Sequence, residues 1–223
     1  MPTSQKTSLA KDARLRALEI VRRLAAEHSD AKCALEHRNP LELLVATVLS
    51  AQCTDERVNL VTRGLFSRFR TASDYAAATQ SRLEREIHST GFFRNKAKSI
   101  RECCRLLVER HGEQVPDRME ELLQLPGIGR KTANVILGTA MGQATGVVVD
   151  THVQRLARRM GLTRHKDPEK IERVLMKLVP QDEWVAFGHR MIWHGRRVCN
   201  ARKPACDHCC MNDICPKIGV QPA

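Results

Sequence analysis

The chain has 223 residues, room for one large or two small domains, and its 42% hydrophobic and 28% charged content describes a real core under a polar surface. Its 37 Lys and Arg outweigh 25 Asp and Glu, a formal charge of +12 that favours a polyanionic partner such as nucleic acid. Aromatics amount to 4%, which argues against a single-strand binder built on rows of stacking rings, and no window approaches the roughly 18 apolar residues of a membrane span.

The N-terminal stretch is Arg-rich but carries Asp12, Glu19 and Glu27, unlike an acid-poor transit peptide, so the chain reads as an intracellular, cytoplasmic protein; it is expected to be nucleoid-associated and monomeric, with no membrane partner. Leu9 to Glu27 is predicted helical. Asn39-Pro40-Leu41-Glu42 is a strong helix start, with Asn39 as cap, Pro40 in the first position and Glu42 where a capping box places it. Leu41, Leu44, Val45, Val48 and Leu49 give that helix one buried face. A polar break from Ser50 to Asp55 follows, and Asp55 is expected to cap a helix through Val58 and Leu65. Thr79 or Ser81 opens another, closed by Gly91, and Asn95 is the expected cap of a helix reaching His111.

Asp117 is the expected cap of a short helix through Met119, Leu122 and Leu123. Leu125-Pro126-Gly127-Ile128-Gly129 then forms a turn, and Ala133, Ile136, Leu137, Ala140 and Met141 resume a helical period. Gly146-Val147-Val148-Val149 is strand-like but finds no second run to pair with, so it is read as a buried extended connector. Asp150, Asp167 and Asp182 are expected to start the remaining three helices. The predicted fold is all-α.

Two groups of residues carry chemistry. Glycines at 127 and 129 let backbone approach a ligand, and the helix that follows opens with unpaired N–H groups suited to phosphate. Lys131 lies in its first turn, where the dipole and Arg130 disfavour a charged amine and favour a nucleophilic one. Asp150 is a plain helix cap and, compatibly, a carboxylate able to stabilise positive charge. Cys199, Cys206, Cys209 and Cys215, spaced C-x6-C-x2-C-x5-C, are suited to close around a metal, zinc or an iron–sulfur centre.

The string LPGIGRKTANVILG, the Val147–Val153 segment with its aspartate, and the four-cysteine loop together resemble the endonuclease III family of helix-hairpin-helix DNA glycosylases and AP lyases. The resemblance implies a six-helix barrel at about residues 34–144, containing the helix-hairpin-helix at about 117–142. A second helical domain from 1–33 and 145–223 would carry a [4Fe-4S] cluster on the loop 199–215, with the DNA groove between the two. It implies excision of oxidised pyrimidines from duplex DNA and β-elimination at abasic sites, with Lys131 and Asp150 catalytic and the four cysteines as ligands. Gln52, Phe92, Gly127, Ile128, Gly129, Arg130, Thr132 and His152 would meet DNA, Gln52 and the Gly91-Phe92-Phe93 loop supplying residues that fill the space of a turned-out nucleotide. Phe92 and Phe93 are either both core residues or one buried and one exposed. The related adenine glycosylases lack the lysine and carry a glutamate in the segment matched by Leu49–Asp55, which has none here. A non-catalytic helix-hairpin-helix DNA-binding protein with a structural or redox metal centre is the alternative, and it has no use for Lys131 paired with Asp150.

Overall fold

The computed structural model describes residues 3–220, with side chains from residue 12, and every regular element among them is helical. The chain divides into two compact units, one of Cys33–Thr145 and one of Met1–Lys32 with Gly146–Ala223. In chain order the helices are α1 (Thr3–Glu27), α2 (Pro40–Leu49), α3 (Asp55–Arg68), α4 (Ala72–Ala77), α5 (Gln80–Ile87), α6 (Phe93–His111), α7 (Met119–Leu122), α8 (Arg130–Val135), α9 (Thr151–Arg159), α10 (Pro168–Leu178) and α11 (Trp184–Arg197). A π-helical stretch, Ile136–Ala140, continues α8.

The unit of residues 33–145 is organised around α2. Asn39 caps it by accepting from the Glu42 amide at 2.9 Å, and Pro40 occupies the first turn. Glu42 does not complete the expected capping box: its carboxylate turns to the Arg38 amide and guanidinium, at 2.7 and 2.6 Å. Residues 42–49 are all buried, not one face of them, because α3, α6, α8 and the π-helical stretch all pack on α2. Leu43, Leu44 and Leu49, each at 0% exposure, contribute about 2 kcal/mol apiece by burial.

Several helix starts differ from their expected caps. Thr54 caps α3 through the Arg57 amide, and Asp55 is the first helical residue. The start of α6 is not capped by Asn95: it begins at Phe93, behind a left-handed Phe92 with no capping side chain. Arg118, not Asp117, precedes α7, again without a side-chain cap. A short 3-10 turn, Gln181–Glu183, stands where Asp182 was expected to open α11. The short α4 has a full capping box between Thr71 and Asp74.

In the other unit α1 packs against α10 and α11, and α9 against α10 and α11. Residues 146–150 carry no regular secondary structure, with Asp150 in an extended backbone and Val147 and Val149 buried. Trp193 on α11 donates to the Lys32 carbonyl at 3.1 Å, and its ring carries the Arg197 guanidinium at 3.9 Å.

Candidate active site

The hairpin is built by backbone and by one obligatory glycine. The Leu125 amide donates to Leu122 O and the Ile128 amide to Leu125 O, both at 3.1 Å. Gly127 has φ +82°, a conformation that favours glycine, and a Cβ there would also crowd Ser99 Cβ at 3.2 Å. Gly129 is different. Its φ of −96° suits any residue, and an added Cβ would meet nothing within 4 Å. The fold therefore does not require glycine at 129. Gly129 also precedes α8 with no side-chain cap. Ile128, expected at the DNA, buries its side chain, and its amide donates to Leu125 O in the turn. Arg130 and Thr132 are half-buried.

Lys131 is exposed in the first turn of α8 and makes no hydrogen bond or ion pair among the described residues. It lines a cavity of about 430 Å³ with Gln52, Phe92, Lys96, Ser99 and Gly127, among others, a size in the usual range for small-molecule and nucleotide sites. Gln52 and Phe92 are both exposed and both left-handed, at φ 52° and 47°. For non-glycine residues that conformation costs about 1–3 kcal/mol each and is retained where function or surroundings demand it. Of the two phenylalanines one is exposed and one packed: Phe92 is 63% exposed, whereas Phe93 lies on His88 at 4.4 Å between ring centroids.

Asp150 starts α9 as expected. Its backbone is extended, and Oδ1 accepts from the Val153 amide at 2.8 Å. His152, two residues along, is half-buried and its Nδ1 takes a hydrogen bond from Arg155 at 3.2 Å. Burial lowers the His152 pKa, with Asp150 opposing and Arg155 reinforcing the shift. A Cβ on Gly195 would come within 2.9 Å of His152 Nδ1, so α11 approaches this turn closely only because residue 195 is glycine.

The four cysteines Cys199, Cys206, Cys209 and Cys215 line one cavity with Arg159, His194 and Met211, and none forms a disulfide. Donors point at their sulfurs. Arg159 Nη1 lies 3.4 Å from Cys199 Sγ, and the Met211 amide and His194 Nε2 each lie 3.4 Å from Cys209 Sγ. The Arg159 guanidinium is itself buried, beside sulfur and the carbonyls of Asn200 and Ala201. Such donors suit thiolates. Left as thiols, Cys209 is pushed up to about 12, first by its hydrogen bond with Cys210 and then by burial, and burial raises Cys215 as well. A bound metal is what would ionise them at neutral pH.

Residues 45–181 match the family model described as HhH-GPD superfamily base excision DNA repair protein. The chain belongs to that superfamily. It is 55% identical to the endonuclease III of Synechocystis over 201 residues, covering 90% of this chain and 92% of that protein. Two solved structures have a TM-score of 0.87 to it. One is a non-covalent endonuclease III–DNA complex, 44% identical over 92% of this chain and 95% of that one. The other is a trapped endonuclease III–DNA covalent intermediate, 43% identical over 92% and 96%.

Three further residues of this superfamily member stand at the site without having been singled out in the sequence. Lys96 is 5% exposed, lines the Lys131 cavity, and donates to Leu49 O and Thr90 O, both at 2.8 Å. Burial lowers its pKa, while the two carbonyl acceptors hold the ammonium. Arg155 and Arg159, one helical turn apart on α9, grip the start of the cysteine loop: Arg155 Nη2 donates to Gly195 O at 2.9 Å and Cys199 O at 3.0 Å. Their i, i+4 spacing was the only available signal.

Proposed function

We propose that this chain is a bifunctional DNA glycosylase and abasic-site lyase that removes oxidised pyrimidines from duplex DNA. The observation that carries the reading is Lys131, an exposed amine with no hydrogen bond or ion pair among the described residues, lining a cavity in the first turn of α8. The neutral amine attacks the anomeric carbon of a turned-out nucleotide, and the glycosidic bond breaks with the electron pair leaving on the base, which takes up a proton. Positive charge builds on the sugar during this step, and the Asp150 carboxylate stabilises it. Ring opening leaves an imine between Lys131 and the sugar carbon. The imine acidifies the neighbouring C–H, whose loss expels the 3′ phosphate and nicks the strand. Gly127, Gly129, Arg130 and Thr132 hold backbone phosphate, and Gln52 and Phe92 occupy the gap in the duplex. His152 lines the pocket beside Asp150.

Borohydride trapping tests this. The wild-type protein should form a covalent adduct on duplexes containing an abasic site or an oxidised thymine, and Lys131→Gln should form none while binding duplex within a few fold. Trapping that survives Lys131→Gln would move the nucleophile elsewhere.

The helix-hairpin-helix belongs to the six-helix barrel domain of about residues 34–144, and the chain works as a cytoplasmic monomer, nucleoid-associated. Cys199, Cys206, Cys209 and Cys215 hold a [4Fe-4S] cluster. The four thiols line one cavity, and thiolate serves both zinc and iron–sulfur centres; zinc ribbons present two close Cys pairs, whereas only one C-x2-C occurs here. When bound, the cluster supplies folding energy to the loop. Purified protein should be yellow-brown and contain iron; a colourless, folded protein with one stoichiometric zinc would contradict the assignment.

A further inference from the structure

Leu49 is the last residue of α2, and Thr90 is the last residue of the 3-10 turn His88–Thr90. Each carries a terminal carbonyl with no helical partner, at the negative end of its element. One buried ammonium, Lys96 Nζ, satisfies both at 2.8 Å. The residues that follow the two carbonyls are the two loops of the Lys131 cavity: 50–54, with Gln52 at φ 52°, and 91–92, with Phe92 at φ 47°. Lys96 is joined to the second loop by backbone as well, its amide donating to Phe92 O at 3.1 Å. Two exposed, left-handed residues from segments forty positions apart therefore share a single anchor.

We propose that Lys96 is a positioning residue that ties the Gln52 loop and the Phe92 turn into one inserting unit. The inference rests on the assignment of Gln52 and Phe92 as residues that enter the duplex. A charge at this place is expensive to bury, and burial pulls the Lys96 pKa down; an apolar side chain would fill the same space without that cost. What methionine cannot supply is two donors to two carbonyls at once. Losing them frees the loops to move independently, which degrades insertion more than it degrades the chemistry at Lys131.

The test is a double-mutant cycle on the full-length protein. Single-turnover excision of an oxidised thymine is measured for Lys96→Met in the wild-type background and in a Gln52→Ala/Phe92→Ala background. Borohydride trapping on a preformed abasic site counts competent molecules, and 2-aminopurine beside the lesion reports unstacking. Lys96→Met should slow excision per competent molecule by about 10- to 100-fold, the range of a small misplacement, and reduce the 2-aminopurine signal. Lys96→Arg should recover part of both. In the doubly substituted background Lys96→Met should cost almost nothing further. Equal losses in both backgrounds, or unchanged excision per trapped molecule, would overturn the inference. Gln52→Ala and Phe92→Ala proteins that match wild type in both readouts would instead remove the insertion assignment, and this inference with it. If Lys96→Met does not fold, Lys96→Gln, which keeps donors for one carbonyl, is judged by the same criteria.

Discussion

Two helix starts, one in each unit, are made in opposite ways. The start of α9 is closed: Asp150 accepts the Val153 amide and places a carboxylate at the positive end of the helix. The start of α8 is open: Gly129 offers no side chain, its surroundings leave room for one, and the first turn carries an exposed lysine. Capping is worth about 1 kcal/mol, so the open start forgoes a stabilisation that the same chain uses at α2, α3, α4, α5, α9 and α10. The start of α8 thus leaves its first amides open, as those of α6 and α7 also are, whereas the start closed by aspartate holds a negative charge of its own.

Removing the charge while keeping the cap separates the two functions of Asp150. Asp150→Asn should leave thermal stability nearly unchanged, since asparagine caps as well as aspartate, and slow base excision by about 10²-fold, the weight of one electrostatic group. Asp150→Ala should add a loss of about 1 kcal/mol in urea unfolding. Equal excision rates for Asp150→Asn and wild type would reduce Asp150 to a cap.

The converse change closes the open start. Gly129→Asp has room for its side chain and an ordinary backbone, so folding should hold. Duplex affinity should drop about 10-fold for damaged and undamaged DNA alike, as one charge-assisted contact is worth roughly 1.5 kcal/mol. Gly127→Ala should behave oppositely, lowering the unfolding midpoint through its left-handed φ and the Ser99 contact. Intact binding by Gly129→Asp would show that phosphate does not approach this turn.

The smallest effect concerns pH. Burial holds the imidazoles of His28 and His189 below the ordinary 6.5. His28 meets His194 edge-on, Glu27 and Asp30 oppose its shift, and Arg197 reinforces it. Unfolded chains bind protons near pH 6.5 that the folded state refuses, so this stability is whole above about pH 6.5 and declines as pH falls below it. The urea midpoint at pH 5.5 should lie below that at pH 7.5; a flat midpoint would mean the buried rings take up charge in place.

What could be read from the sequence was local. Asn39-Pro40, Asp150 and Asp167 announce their helices because a capping side chain and its amide lie three residues apart. The hairpin lysine and the cysteine spacing are continuous strings. Errors arose where a neighbouring residue did the capping, as Thr54 does beside Asp55, or where no side chain caps at all, as at Phe92 and Arg118. The helix α4 escaped notice because six residues show no period, although Thr71 and Asp74 spell its capping box. Lys96 was illegible for a deeper reason. Its carbonyl partner Leu49 lies 47 positions away, and nothing in a basic, lysine-bearing helix distinguishes the one ammonium that is buried.

The π-helical stretch Ile136–Ala140 behind α8 has a consequence for the phase of the hairpin. A wide turn accommodates an extra residue, so the face α8 presents upstream is offset from the one its downstream residues would dictate. Each residue advances an α-helix by about 100°. Deleting one residue here would tighten the stretch into ordinary helix and rotate α8, with Lys131, by about that angle relative to Met141 and the chain that follows. The direction the amine faces is thus set by a count of residues behind it, and a single-residue deletion in this stretch should weaken borohydride trapping while every residue of the hairpin itself stays intact.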